Sequence, residues 1–564
     1  MTRRSGRRAA PARRRARTPG SCTYHPAAIG DLARLDRPTL AVALLAAAAA
    51  AAVRLLAAVA YPLWQDEVAS ARIAVEPTLG HALDRVAESE STPPLWYALA
   101  WAVEQTGLPV EAARGIGVAA GALLAGLLVL YAARLLPLWA AGLAGLVAAL
   151  GSQLVLRGSE LRAYALYALL ALAFAWLLER AAEAPSRGRL AALGAVVAAG
   201  LLTHYFFLFL LLPGLLWLWR APGFRSARGR VSAASALALV PFLAWTPFLA
   251  EQVENQRFSW IGDFSLVKAL SVYSAFVWNA GPLYVRDLVN VGFWEGVARI
   301  AVLALVLAGC VVAWRLGRRG RLVALLALGP VGLAALLWLA GENLFTARNL
   351  LASAPFAAVA VAALAASLPR WAGPVAGAVV LAAVAGGLAR EAQLAPPPYD
   401  ELADALVELG WSPRSQVAIF GGAHELSYLG TAYAIRGPVS WYLPGRPRLE
   451  LADGQACERA FVVAPPGRGA GLVEHAEDSR TVDDVTVARV SCSPDLPARV
   501  RSEHGFLFVP ARVAPLQAMH AALLPRVTLR RSPPSPSPRL PQPWLRTSAN
   551  SCLVLTTQKR GTIT

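Results

Sequence analysis

The chain has 564 residues, 56% hydrophobic and 16% charged, with a mean hydropathy of +0.48. Soluble globular domains carry about a quarter charged residues, so an ordinary soluble enzyme is excluded; the apolar residues come in blocks of about 20, enough to cross roughly 30 Å of hydrocarbon. The net charge of +18 is uneven, and "MTRRSGRRAAPARRRARTPG" holds much of it; this stretch predicts a disordered, basic cytoplasmic N-terminus over 1–37 rather than a nucleic-acid-binding arm.

In chain order, the first apolar run, about 39–60, is longer than a signal-peptide core and predicts an uncleaved first helix. It delivers the chain to "YPLWQDEVAS" (61–70), where Asp66 and Glu67 stand side by side. Two adjacent carboxylates suit a general base beside a neighbour that tunes its pKa or helps hold a divalent cation, Mg or Mn. A solvated acidic loop reads the same way. In "ESESTPPLWYALAW" (88–101), Pro93-Pro94 fits only the start of a helix. The aromatics that follow suit an interfacial helix over 93–107, and Glu88 and Glu90 extend the acidic cluster or form a solvated face.

Apolar blocks follow near 112–133, 137–156 and 161–179. At the head of the third, "RGSELRAYALYALL" (157–170) places Glu160 and Arg162 at a helix end, with Tyr164 one turn on. Arg forks onto phosphate oxygens, but it also snorkels at a boundary. The blocks 189–204 and 205–219 meet at "LLTHYFFLFLL", where His204 and Tyr205 interrupt an apolar stretch. They read as an aromatic belt at a turn or as polar groups facing a lipid or sugar headgroup. Blocks at 231–250, 293–314 and 321–340 lead to "ENLFTARNLLASAPF" (342–356). There Arg348, just before the block 350–368, fits a phosphate contact or a topological flank. The last block is 371–390.

Arg-bearing loops at 179–189, 220–230, 314–321 and 369–371 predict cytoplasmic connections. Eleven crossings satisfy all of them if 93–107 does not span, and twelve or thirteen are the alternatives. Segments 61–92, 157–164, 203–206, 251–292, 341–349 and the chain beyond 390 then share the outer side. Residues 391–515 predict a small extracytoplasmic α/β domain. "YDELADALVELGW" is its amphipathic helix, and "QVAIFGG", "PVSWYL", "RAFVVAPP" and "VTVARVSC" are its strands. Cys457 and Cys492 are placed to pair if that domain is extracytoplasmic, and no Cys spacing suggests a metal site. Residues 516–564 are Pro/Ser/Arg-rich and predict a disordered tail.

The order of these motifs resembles the GT-C superfamily of polytopic glycosyltransferases, and within it the bacterial enzymes related to protein mannosyltransferases. The matching stretches are "YPLWQDEVASARIA", "STPPLWYALAW", "SELRAYALYALLALA", "LLTHYFFLFLLLPG", "FTARNLLASAPF" and "YDELADAL", over roughly 38–430. The chain departs from relatives at Thr92, where they often carry His, and at Asn349, where they often carry Tyr. The resemblance implies a mainly α, polytopic transmembrane bundle of about 11–13 helices of GT-C type with a small C-terminal α/β domain. It implies a plasma-membrane glycosyltransferase with its active site on the extracytoplasmic face. Such an enzyme moves a mannose-like or other sugar from a polyprenyl-phosphate donor to a glycan, lipid or protein acceptor. Asp66 is then the base and Glu67 its partner, while Arg162 and Arg348 take the lipid phosphate, with Glu160, Tyr164, His204 and Tyr205 around it. Membrane lipids are expected partners and nucleic acid is not. A transporter or lipid flippase is the rival reading; it predicts an inverted repeat and charges near the bilayer midplane, and neither stands out in the sequence.

Overall fold

The computed structural model describes residues 36–254, 266–278, 293–342, 344–392, 398–421, 428–452 and 457–511. The expectations for the basic N-terminus before residue 36 and for the tail after 516 lie outside these residues.

Among the described residues, the chain up to residue 392 is helical. In order the helices are α1 (Arg37–Ala60), α2 (Gln65–Ala74), α3 (Leu79–Ser89), α4 (Leu95–Glu104), α5 (Arg114–Ala132), α6 (Leu138–Leu150), α7 (Ser152–Ser159), α8 (Tyr164–Glu183) and α9 (Arg187–Thr203). They continue as α10 (Phe207–Arg220), α11 (Arg225–Leu237), α12 (Val240–Glu254), α13 (Leu266–Val277), α14 (Phe293–Arg315), α15 (Arg318–Leu339), α16 (Ala354–Ser367) and α17 (Ala372–Ala392). Among the described residues, six stretches are long and apolar enough to cross a membrane: Arg37–Ala60, Val110–Ala132, Tyr164–Glu183, Gly296–Arg315, Arg318–Leu339 and Ala372–Arg390. The pairs α6–α7 and α11–α12 pass the same test together but are bent by 51° and 45°. The expected mainly α bundle with a small C-terminal sheet is thus the observed one.

Three features depart from the sequence reading. The outer segment 61–92 is not an open loop, because α2 and α3 occupy most of it. The segment 251–292 contains α13, whose apolar face buries Val272, Tyr273, Phe276 and Val277 in the bundle core. The block 137–156 breaks at Gly151, so that α7 turns away from α6. The stretch 93–107 forms only the 10-residue α4, about 15 Å long, half of what a crossing needs. Its Pro94 stands immediately before the first helical residue.

Residues 398–511 build a six-stranded sheet with helices α18 (Tyr399–Glu408), α19 (Tyr428–Tyr442), α20 (Ala470–Val473) and α21 (Leu496–Ser502). Its strands are β1 (Ser415–Phe420), β2 (Leu449–Leu451), β3 (Arg459–Ala464), β4 (Asp478–Val482), β5 (Val485–Val490) and β6 (Gly505–Pro510), in the order β2-β6-β1-β3-β5-β4. Among the described residues, only β1 and β3 pair in parallel. Val417 and Ile419 of β1 bury against α18 and α19; Ala418 and Phe420 bury on the other face with residues of α20 and α21. Cys457 and Cys492 are joined by a disulfide.

One strand expectation is corrected. "PVSWYL" (438–443) lies in and just beyond α19, a helix. Its alternating Val439, Trp441 and Leu443 suggest period two, yet Ala432, Ile435, Val439 and Leu443 form a helical stripe on the sheet core. Trp441 faces the other way, into the cluster that holds Leu63, Val68 and Leu161. A helix buried on two sides loses the polar face by which the 3.6 period is recognised.

Candidate active site

The site begins at the N-terminus of α2. Asp66 and Glu67 fall in its first turn, where the helix dipole favours negative charge. Glu67 accepts the Trp64 N–H at 3.3 Å, closing the start of the helix. The two adjacent carboxyls then diverge.

Glu67 is 1% exposed and fully engaged. Arg114 donates Nε to Oε1 at 2.7 Å and Nη2 to Oε2 at 2.6 Å, and the Leu161 N–H donates to Oε1 at 2.6 Å. Arg114 also donates to the carbonyls of Ala58, Tyr61 and Pro62. This pair ties the end of α1, the start of α2, the start of α5 and the α7–α8 turn into one knot. Glu67 therefore positions the acid helix. Arg114, at the head of an apolar block, reads in sequence as a topological flank, and nothing local marks it as the partner of Glu67.

Asp66 remains accessible, its side chain 28% exposed. Arg348 Nη1 donates to Oδ2 at 2.9 Å. Arg162 Nη1 lies 3.3 Å from the Asp66 carbonyl, 3.0 Å from Ser70 Oγ, 3.2 Å from Glu90 Oε2 and 3.3 Å from Tyr97 Oη. Tyr97 donates to Glu90 at 2.7 Å and pairs with Thr92 Oγ1 at 2.8 Å. Burial raises the Asp66 carboxyl, but the charges of Arg348, Arg162 and Arg157 outweigh it and hold the group below its ordinary value.

Glu160 lies in the turn between α7 and α8 and accepts Arg157 Nη1 on both oxygens at 2.9 Å. Burial pushes its carboxyl up to about 7; Arg157 opposes the rise, and the carboxylates of Glu67 and Asp66 add to it. The Arg157 guanidinium lies over the rings of Trp64 (5.7 Å) and Tyr164 (5.5 Å). His204 stacks on Tyr167 with centroids 4.5 Å apart, and Tyr167 donates to the Asn349 carbonyl at 3.3 Å. Burial, with the charges of Arg162 and Arg348, pushes its imidazole down to about 3.

Of the eight residues singled out in sequence, the structure gathers Asp66, Glu67, Glu160, Arg162, Tyr164, His204 and Arg348 at one end of the bundle. Tyr205 serves elsewhere. Its hydroxyl donates to Gln252 at 2.8 Å and accepts from Trp245 at 2.9 Å, while Gln252 donates to the Val86 carbonyl; this chain of bonds ties α12 to α3. Arg114 and Arg157 join the site without having been singled out.

Among the described residues no three His, Cys, Asp or Glu side chains group as a metal site. The donor set does not fit a divalent cation either. Asp66 faces Arg348, Glu67 faces Arg114, Glu90 faces Arg162 and Glu160 faces Arg157. Four carboxylates meeting four guanidiniums leave no excess negative charge for a cation.

The C-terminal domain reaches this site through α19. Leu63 N–H donates to Tyr442 Oη at 2.7 Å, and Arg72 donates to Ser440 Oγ at 3.0 Å and the Pro447 carbonyl at 3.1 Å. Gly437 abuts the Gln65 carboxamide so closely that any Cβ would strike it.

No protein-family model matches the chain, and no curated protein matches it. Among solved structures, ArnT from Cupriavidus metallidurans in the apo state is similar at 12% identity, covering 80% of this chain and 97% of that one, with a TM-score of 0.49. ArnT from the same organism bound to undecaprenyl phosphate gives 12% identity, coverage of 81% and 98%, and a TM-score of 0.46. The Archaeoglobus fulgidus oligosaccharyltransferase in its apo form gives 14% identity, coverage of 65% and 58%, and a TM-score of 0.43.

Proposed function

We propose that the protein is an integral membrane glycosyltransferase that moves a sugar from a polyprenyl-phosphate donor to an acceptor hydroxyl outside the cytoplasm. The observation that carries this reading is the half-exposed Asp66 carboxylate, paired to Arg348 and ringed by Arg162 and Arg157, beside helices built to cross a membrane. The motif resemblance adds to it.

Asp66 removes the proton of the acceptor hydroxyl, whose oxygen attacks the anomeric carbon with inversion as the polyprenyl phosphate leaves. A carboxylate held low is ionised at neutral pH but a weak base. Arg348 resolves this conflict. As negative charge grows on the leaving phosphate, the guanidinium turns toward it and releases Asp66, so the same cation stabilises the leaving group and frees the base. Arg162, fixed by Asp66, Ser70, Glu90 and Tyr97, is the second phosphate contact. The sugar is mannose-like or another hexose or pentose.

The test uses membranes containing the protein and a polyprenyl-phosphate donor labelled in the sugar. Transfer predicts label in a new, non-lipid-phosphate product together with free polyprenyl phosphate. Label that crosses the membrane still attached to its lipid supports the transporter reading instead.

A further inference from the structure

Arg157 Nε and His204 Nε2 are among the buried side-chain donors that find no hydrogen-bond partner in the described residues, and both lie at the acid end. Arg157, 2% exposed, spends Nη1 on Glu160 while its Nε–H is buried and unmatched. His204, 3% exposed, accepts the Phe206 N–H on Nδ1 at 3.3 Å, so a neutral ring carries its proton on Nε2. That atom too is buried and unmatched. Both side chains pack on one ring: the Arg157 guanidinium carbon is 5.5 Å from the Tyr164 centroid, and the His204 centroid is 5.9 Å from it.

A buried donor left unmatched costs about 1–3 kcal/mol, and folded proteins keep few of them. Two against the same tyrosine, within the fields of Arg162 and Arg348, need a common explanation. A donor on the Arg157 guanidinium, with Arg162 and Arg348 acting on His204, favours an anionic oxygen as the missing acceptor. Burial, with the charges of Arg162 and Arg348, keeps His204 neutral, so it serves as a donor that adds no charge of its own.

We infer that Arg157 Nε–H and His204 Nε2–H are donors of one phosphate-binding pocket built around Tyr164, separate from the Arg348–Asp66 pair. The inference rests on the reading that this end takes a lipid phosphate, and it assigns that group two further contacts. A phosphate held here keeps two oxygens fixed while Arg348 moves.

The test measures binding to the purified full-length protein in detergent, with undecaprenyl phosphate and inorganic phosphate as separate probes. His204→Phe keeps an aromatic ring on Tyr167 and removes the donor; His204→Gln keeps a terminal N–H; Arg157→Lys keeps the charge beside Glu160 and removes Nε–H. The pocket predicts that His204→Phe and Arg157→Lys each weaken undecaprenyl phosphate binding about 10-fold, as loss of a hydrogen bond to a charged group does, and that His204→Gln restores most of it. Without ligand, His204→Phe melts slightly lower than wild type, because it also removes the Nδ1 acceptor of the Phe206 N–H. Protection by inorganic phosphate alone, lost in the same variants, supports the pocket with the free anion as its ligand. Variants that bind undecaprenyl phosphate like wild type overturn the pocket and leave the functional reading standing. Wild type that binds neither probe contradicts the functional reading itself.

Discussion

Asp66 and Glu67 are neighbours in sequence with opposite tasks. Glu67 is buried against Arg114, and removing one partner of such a pair strands the other charge at a cost of about 3–5 kcal/mol. Glu67→Ala is therefore expected to lower the melting temperature sharply or abolish folding, whereas Asp66→Asn, at a half-exposed pair, shifts stability by about 1 kcal/mol or less; thermal melting of the detergent-solubilised variants separates the two. Glu160 gives a pH signature. Its carboxyl sits at about 7 in the fold against an ordinary 4.5, so between those values the folded chain holds a proton that the unfolded chain has lost. Stability is then expected to be full below about pH 4.5 and to fall as pH rises through 7, by at most about 3 kcal/mol. Glu160→Gln flattens that slope. Asp66 acts in the opposite sense and only at lower pH: its stabilisation is present above 3.8 and is lost as the pH falls through its lowered value. A melting curve measured from pH 5 to 8 in wild type and Glu160→Gln isolates the first effect.

At the scale of the element, the break between α6 and α7 aims the site. Arg54 of α1 is wholly buried and donates to the carbonyls of Ala148 and Ala149 at the end of α6, at 3.0 and 2.9 Å. It satisfies carbonyls that the break frees, and it lies in a slot where a Cβ on Gly121 or Gly158 would strike its side chain. Gly121→Val is expected to cost about 1–3 kcal/mol by displacing it, read as a lower melting temperature with the ion pairs of the acid end unaltered in sequence. In the sequence, Arg54 is one polar residue within an apolar run, and its role depends on two glycines from distant helices. Local patterns did announce most elements: each apolar block is helical, and Pro94 precedes α4 as expected. What they could not announce was the bend at Gly151, or that α19 is a helix. Those follow from what packs on both sides, as Trp441 and Val439 show.

For the whole molecule, α8 fixes a polarity. Tyr164 at its start belongs to the acid end. Near its other end Glu179 accepts from Tyr131 at 2.7 Å and pairs with Arg134 at 2.8 Å and Arg319 at 3.1 Å. Arg319, in the Arg-bearing connection 314–321, thus lies at the opposite end of α8 from Tyr164. The seven site residues that converge were legible because each stands at or near the edge of an apolar block; Arg114 and Arg157 were not, because their meaning lies in partners elsewhere in the fold. The C-terminal domain is held to the acid helix by Arg72 and Tyr442 and internally by the Cys457–Cys492 disulfide. A cross-link spanning 35 residues contributes about 3–4 kcal/mol, so Cys492→Ala is expected to lower the melting temperature and to expose that domain to limited proteolysis. Asp66 is proposed as the base of a sugar transfer. Its most direct test compares wild type with Asp66→Asn in membranes supplied with a radiolabelled polyprenyl-phosphate sugar, with insertion of both proteins verified. Transfer by wild type and a loss of about 100-fold or more in the variant are expected; transfer by Asp66→Asn at the wild-type rate would rule Asp66 out as the base.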